Sequence, residues 1–347
     1  MERGAAVGKA PADPYKAPMQ GPASLGAKRI LFVTSTRIGD AVLSSGVLRR
    51  LIADHPRARL TVACGPAAAP LFEATPNLER IIVLDKMPFS LHWLELWARC
   101  AGSVWDLVVD LRNTPLTWLL AARGQRRIKS GRAAIHRVQL YGRVLDLGLD
   151  PPAPGLWTLP RHEDEARRLL PDGHPVLAVG PSANWRAKTW PAERFLELIG
   201  RLTGPSGILP GAKVAVFGRD DERPSALGLI EAIPPERRID LMGKVELLTA
   251  YACFKRAALY VGNDSGLMHM AAAAGAPTLG LFGPSREELY APWGPRAGVA
   301  RAGLGFDRIF PPNFDHRTTG TLMESLSVDA VEAAAWELWR RAGTKAA

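Results

Sequence analysis

From residue 28 onward, short uninterrupted apolar runs alternate with longer stretches in which apolar residues recur every three to four positions. Residues 29–34 are apolar without a break from Ile30 to Val33, which predicts a strand buried on both faces. Residues 41–53 then place Val42, Leu43, Val47, Leu48 and Leu51 at helical spacing. Further strands are predicted at 60–63, 81–84 and 107–109. Strand and helix in alternation predict a parallel sheet with helices on both faces, an α/β fold.

The rhythm breaks at residues 150–155, Asp-Pro-Pro-Ala-Pro-Gly, and restarts after a connecting helix near 163–170. Strands are predicted at 176–179, 213–217, 239–241, 259–261 and 277–281, and a helix at 192–202 with Pro191 in its first turn. A last helix over 328–340 is introduced by Ser327, with Asp329 in its first turn. The expected organisation is a tail (1–27), a first α/β domain (28–155), a linker (156–175), a second α/β domain (176–326) and a terminal helix (327–347). Ligands of such sheets bind at the carboxyl ends of the strands, so the expected site is the cleft between the halves.

Composition narrows the class. The 347 residues are 47% hydrophobic and 22% charged, which excludes a disordered chain, a collagen-like repeat and a small disulfide scaffold. No apolar run reaches the roughly 18 residues that a membrane-spanning helix needs. Lys and Arg number 44 against 34 Asp and Glu, a net charge of +10 that predicts an anionic partner. Cys64, Cys100 and Cys253 are odd in number and far apart in apolar surroundings, so they are expected as reduced core thiols of a cytosolic protein. No Cys or His pair has metal-ligand spacing, so neither metal nor cofactor is expected. Residues 1–27 carry Pro11, Pro14, Pro18 and Pro22 and no apolar signal core; they are expected to be a disordered tail.

No G-x-G-x-x-G follows the first strand, which argues against a nicotinamide enzyme, and no G-x-S-x-G elbow is present. Three segments that follow buried strands carry candidate chemistry. The first is Gly39-Asp40, where glycine suits a tight turn and Asp40 is either a helix-terminal acid or a general base. The second is residues 180–191, Gly-Pro-Ser-Ala-Asn-Trp-Arg-Ala-Lys-Thr-Trp-Pro. Its Ser182 and Asn184 suit a phosphate loop, and Lys188 is either a surface lysine or a charge for a diphosphate. The third is residues 262–269, Gly-Asn-Asp-Ser-Gly-Leu-Met-His. Ser265, Gly266 and Leu267 offer N–H groups at a helix start, Asp264 suits sugar hydroxyls, and His269 is a contact or a core histidine.

Together these segments resemble glycosyltransferase family 9, the ADP-heptose:lipopolysaccharide heptosyltransferases. The resemblance rests on I-G-D after the first strand, A-K-T-W-P before a helix, and G-N-D-S-G-L-M-H-M-A-A-A-A-G-A-P followed by L-F-G-P, and it spans about residues 28–342. It implies a GT-B fold, two Rossmann-like domains facing a central cleft, with the terminal helix returning toward the first domain. It implies inverting, metal-independent transfer, with the acceptor on the first domain and the nucleotide sugar, ADP-heptose, on the second. Asp40 then corresponds to the catalytic base and Lys188 to the group that stabilises the departing diphosphate. Ser182, Asn184, Asp264, Ser265, Gly266, Leu267 and His269 correspond to donor contacts, with Met242 and Gly243 near the base. The chain departs from the family in lacking the His and Pro that heptosyltransferase I relatives carry along the first helix. It also lacks the cysteine-rich loop of heptosyltransferase II; residues 306–316 stand there instead. Donor sugar and acceptor therefore stay open: a UDP- or GDP-sugar transferase, a sugar-nucleotide epimerase and a non-catalytic binding protein are the alternatives.

Residues 123–143 hold Arg123, Arg126, Arg127, Lys129, Arg132, Arg137 and Arg143 and no acid. The segment is either a solvated face or a docking face. With Gly39, residues Arg123, Arg126, Arg127, Lys129 and Arg132 are the candidate acceptor contacts, facing a phosphorylated lipid or lipopolysaccharide core and the anionic inner-membrane surface from the cytoplasmic side. No nucleic-acid module is recognisable, and nucleic acid is not expected as a partner.

Overall fold

The computed structural model describes residues 27–129, 134–148, 151–311, 314–315 and 319–343. The expected tail lies outside these residues, apart from Ala27, and so does Arg132. The first half is built on β1 (Arg29–Val33), β2 (Arg59–Cys64), β3 (Leu78–Val83), β4 (Leu107–Asp110) and β5 (Gln125–Arg127), in the order β3-β2-β1-β4-β5. Every pairing is parallel. Its helices are α1 (Ile38–Asp54), α2 (His92–Ala101) and α3 (Arg137–Gly142). Residues Ile30 and Phe32 face α1, while Leu31 and Val33 face a second layer of Leu96, Cys100 and Trp105. Burial on both faces is why β1 reads as an unbroken apolar run.

The helix α4 (Pro160–Leu169) leads into the second sheet: β6 (Val176–Gly180), β7 (Lys213–Val216), β8 (Arg238–Asp240), β9 (Leu259–Asn263), β10 (Thr278–Phe282) and β11 (Ala297–Arg301). Its order is β11-β10-β9-β6-β7-β8, again all parallel. Around it lie α5 (Ala192–Thr203), α6 (Arg223–Ala232), α7 (Leu247–Arg256), α8 (Gly266–Ala273), α9 (Glu287–Tyr290) and α10 (Val328–Gly343). Two parallel sheets, each layered with helices, make this the GT-B type of α/β architecture. Both sheets contribute to one continuous apolar cluster, which runs from Ile30 and Phe32 through Leu248 and Phe254 to Tyr260 and Phe282.

Every strand expected from the apolar runs is present; β5 and β11 are additional. Both are sheet edges, Gln-Arg-Arg and Ala-Gly-Val-Ala-Arg, and an edge strand needs no apolar run. The terminal helix α10 differs from the expectation. It lays Val328, Val331, Ala335 and Leu338 into the core of the second sheet rather than reaching the first. Arg201 of α5 ties its start through Asp329 and Glu332.

The connection between the halves is packed tightly. A Cβ on Gly46 would lie 2.1 Å from the Pro152 carbonyl oxygen, and one on Gly142 would lie 2.5 Å from Pro151. Ser45 Oγ accepts from the Gly155 amide at 3.0 Å, and Tyr251 Oη accepts from the Leu156 amide at 3.2 Å. The three cysteines are buried and unbridged. Burial pushes the Cys64 and Cys253 thiols up to about 12 and the Cys100 thiol to about 11, so none is a ready nucleophile.

Candidate functional site

In both sheets the parallel strands end at one edge, and the three candidate segments leave from those ends. Asp40 sits in the first turn of α1, reached from β1 through residues 34–37. The helix starts at Ile38, so Gly39 is helical and forms no tight turn. Its glycine is required by close approach instead: a Cβ there would lie 3.0 Å from His269 Cδ2. Gly266 is the reciprocal case, where a Cβ would meet Ile38 Cγ2 at 2.7 Å. The N-terminal turns of α1 and α8 thus meet across the cleft through two glycines. Two helix N-termini and their free N–H groups converge there.

Ser265 caps α8, its side chain accepting from the Met268 amide at 3.5 Å. Beside it Asp264 is buried, and Lys188 Nζ donates to its Oδ2 at 2.5 Å. His269 Nε2 lies 4.0 Å from Asp264 Oδ1. Burial lowers the His269 imidazole from 6.5 to about 4, against the pull of Asp264, so the ring is neutral at pH 7. His269, Asp264 and Lys188 therefore form one cluster at the start of α8, and the turn of α1 that bears Asp40 packs against it through Gly39.

The loop bearing Lys188 is fixed by Trp190, which is fully buried. Its amide donates to Asn263 Oδ1 at 3.0 Å, Asn263 Nδ2 donates to the Pro181 carbonyl at 2.8 Å, and its indole donates to the Leu326 carbonyl at 2.9 Å. A lysine on a loop anchored at both ends carries its charge at a defined place. Ser182 and Met242 come together at the ends of β6 and β8. A Cβ on Gly218 would touch Met242 Cε at 2.2 Å and Ser182 Oγ at 3.0 Å. Gly243 follows at φ +70, in the left-handed region, against Asp220. Asn184 is exposed on the loop between these groups, and Leu267 is half-buried in the first turn of α8.

The basic segment divides. Arg127 is not a free acceptor contact: its guanidinium lies 3.3 Å from the fully buried Asp110 carboxylate and donates to Thr117 Oγ1 at 2.6 Å and to Gln125 Oε1 at 2.8 Å. A buried carboxylate needs such a partner, and the local charge pattern does not reveal it. Arg123 pairs with Asp106 at 2.9 Å, while Arg126 and Lys129 are exposed. All four lie on or next to β5, which β4 separates from β1 and Asp40.

The sequence reading missed two groups. Tyr141 of α3 is buried, and its hydroxyl donates to Asp40 Oδ1 at 3.3 Å. Burial, and then the neighbouring Asp40 charge, push that phenol upward, so it remains a donor. The same helix reaches the second half. Arg137 Nε donates to Tyr290 Oη at 3.0 Å, and His136 Nε2 is 2.9 Å from the Ala291 carbonyl, with its ring 4.6 Å from Trp293. The second missed group is Glu222, which accepts from Ser182 Oγ at 2.7 Å and from the Arg219 amide at 3.1 Å. Tyr141 is 101 residues from Asp40 and Glu222 is 40 from Ser182, so no local spacing signals either.

Residues 109–307 match the family described as Glycosyltransferase family 9 (heptosyltransferase). The lipopolysaccharide heptosyltransferase 1 of Pseudomonas aeruginosa is 32% identical over 299 residues, covering 74% of this chain and 79% of its own. The lipopolysaccharide heptosyltransferase 2 of Salmonella typhimurium is 25% identical over 81% of this chain and 90% of its own. Among solved structures, a family 9 glycosyltransferase from Veillonella parvula superposes with a TM-score of 0.73 at 22% identity, covering 90% of this chain and 97% of that one. The ADP-heptose lipopolysaccharide heptosyltransferase II of Escherichia coli gives 0.69 at 21% identity, over 90% and 99%. On the family match and the Pseudomonas relative, with both halves of the fold in agreement, this chain belongs to glycosyltransferase family 9 and is a glycosyltransferase.

Proposed function

We propose that the protein transfers a heptose from ADP-heptose to a lipopolysaccharide inner-core acceptor, inverting the anomeric centre without a metal. The observation that supports the reading is the packing of the α1 turn that bears Asp40 against the α8 N-terminus, beside the Lys188–Asp264 pair. Asp40 takes the proton of the acceptor hydroxyl while that oxygen attacks the anomeric carbon from the face opposite the nucleotide. The bond from that carbon to the diphosphate oxygen breaks, and the electron pair leaves with ADP. Lys188 and the N–H groups of Gly266 and Leu267 receive the charge that develops on the diphosphate. A lysine and a helix N-terminus together supply what a divalent cation supplies elsewhere.

Asp264 holds Lys188 in place and keeps a second oxygen toward the sugar. The neutral His269 is no rival cation beside Lys188, so the Asp264 carboxylate pairs with the lysine alone. Ser182 and Asn184 line the second phosphate loop, Glu222 accepts from the ribose hydroxyls, and Met242 with Gly243 borders the adenine. Gly39 and the exposed Arg126 and Lys129 lie on the acceptor side. The proposed location is the cytoplasmic face of the inner membrane, held peripherally, supported by the net charge of +10. No helix among the described residues is long and apolar enough to cross a membrane.

Calorimetry with ADP, UDP and GDP, each with and without EDTA, tests the donor. ADP preferred, unaffected by EDTA and weakened at least tenfold in Lys188→Ala, is the expected result. Preference for UDP or GDP moves the substrate to another sugar, and loss of binding in EDTA overturns the metal-free mechanism.

A further inference from the structure

The segment that leaves β3 presents apolar side chains to solvent. Phe89 is 97% exposed, Leu91 49% and Leu94 50%. The segment that leaves β4 does the same with Trp118 at 62% and Leu119 at 67%. The two are neighbours, since α2 packs on the turn Pro115–Leu119. Leu91 and Leu94 are one helical turn apart and stand on the side of α2 opposite the buried Leu96 and Cys100. Scattered exposed leucines need no explanation, but a contiguous aromatic and aliphatic patch on a soluble chain does.

The backbone sharpens the point. Phe89 sits at φ 52 and Ser90 at φ 61, a left-handed conformation that costs a non-glycine residue about 1–2 kcal/mol. The strain returns no packing within the chain, because the Phe89 ring touches almost nothing. Trp118 is held from below by Arg127, whose guanidinium lies 4.1 Å from the ring centroid, and that arginine is itself fixed on the buried Asp110. The structure thus pins the rings outward.

Charge identifies the occupant. From residue 111 to residue 145 the chain holds no Asp or Glu. Lys86, Arg112, Arg126 and Lys129 are exposed around the patch; the Lys86 and Arg112 amides donate to Asp85 and Asp110, but none of the four side chains forms an ion pair among the described residues. Apolar rings and leucines framed by unpaired cations suit the interface of an anionic bilayer, where rings enter the headgroup region and cations meet lipid phosphates. All five strands of the first sheet are parallel, so the segments after β3 and β4 leave from the same edge as Asp40 does after β1.

We propose that Phe89, Leu91, Leu94, Trp118 and Leu119 form a membrane-insertion patch that seats this edge, and with it Asp40, on an anionic bilayer. The orientation with respect to a lipid-borne acceptor rests on the function proposed above; the binding does not. Insertion differs from attraction by a basic face alone in its response to salt, which screens charges but leaves apolar burial intact.

Co-sedimentation of the full chain with phosphatidylcholine vesicles containing 30% phosphatidylglycerol, at 0.1 M and 0.5 M NaCl, tests it. The wild type is expected to bind at both salts. Phe89→Ser/Leu94→Ser should lose at least tenfold in affinity at 0.5 M, and Arg126→Ser/Lys129→Ser should lose mainly at 0.1 M. With a short water-soluble acceptor the apolar variant should turn over as the wild type does, which also shows that it is folded. Equal binding of wild type and apolar variant at both salts overturns the proposal. So does a change in self-association by light scattering with vesicle binding unchanged, which makes the patch a contact between copies. Failure of heptosyl transfer by every variant with vesicle binding intact overturns the function instead and leaves the patch standing.

Discussion

Asp40 has few neighbours that could replace it as a base: among the described residues the Tyr141 phenol donates to it, and the His269 imidazole against the adjacent Gly39 is neutral and buried. Asp40→Asn should therefore lower kcat by about 10²–10⁴-fold and leave ADP affinity within twofold, read by steady-state transfer and calorimetry. Tyr141→Phe removes one hydrogen bond to a carboxylate and keeps the ring. It should lower kcat roughly tenfold with the donor KM unchanged, whereas a purely structural role would leave kcat alone. His269 sets a pH limb of stability. Its folded value of about 4 lies below the unfolded 6.5, so the unfolded chain binds the proton first as pH falls. Stability is full above pH 6.5 and is lost between 6.5 and 4, by about 3 kcal/mol at most. Urea unfolding at pH 7.5 and 4.5 should show this loss, and His269→Gln should shrink it. The placement of Asp40, Lys188, Asp264 and His269 beyond the ends of buried strands was legible, because each comes after an apolar run; their roles are the proposal. Tyr141 and Glu222 were not legible, because only the folded chain brings them to their partners. Arg127 was misread because its buried partner, Asp110, cannot be told from a surface acid by sequence.

The elements carry the argument from residue to cleft. The first turns of α1 and α8 touch through Gly39 and Gly266, so a methyl group there separates the base from the donor side. Gly266→Ala should lower kcat/KM at least tenfold while far-ultraviolet dichroism stays unchanged, since its added Cβ would meet Ile38 at 2.7 Å. Gly46 tests the connection instead. Its Cβ would lie 2.1 Å from the Pro152 oxygen, and Gly46→Ala should cost about 1–3 kcal/mol by urea unfolding with little change in KM. The inner strands were readable as apolar runs, and the edges β5 and β11 were not. The start of α1 was read three residues late because Ile38, Gly39 and Asp40 resemble a turn, and glycine in a helix is understood only once His269 is seen against it.

At the scale of the molecule, the two sheets divide the work. The edge of the first carries Asp40, the proposed acceptor side; the edge of the second carries Lys188, Asp264 and the α8 N-terminus, the proposed donor side. The linker at Gly46 and α3, which touches Asp40 through Tyr141 and the second half through His136 and Arg137, join them. The alternation of strands with helices made this division legible, but not the side on which α10 packs, because its apolar stripe fits either half. The most direct test of the account is transfer from ADP-heptose to a lipopolysaccharide inner-core acceptor in the presence of EDTA, by wild type and by Asp40→Asn, with the anomeric configuration of the product read by NMR. The account predicts an inverted product from the wild type and at least a hundredfold less from the variant. A retained configuration, or an Asp40→Asn rate within tenfold of wild type, would contradict it.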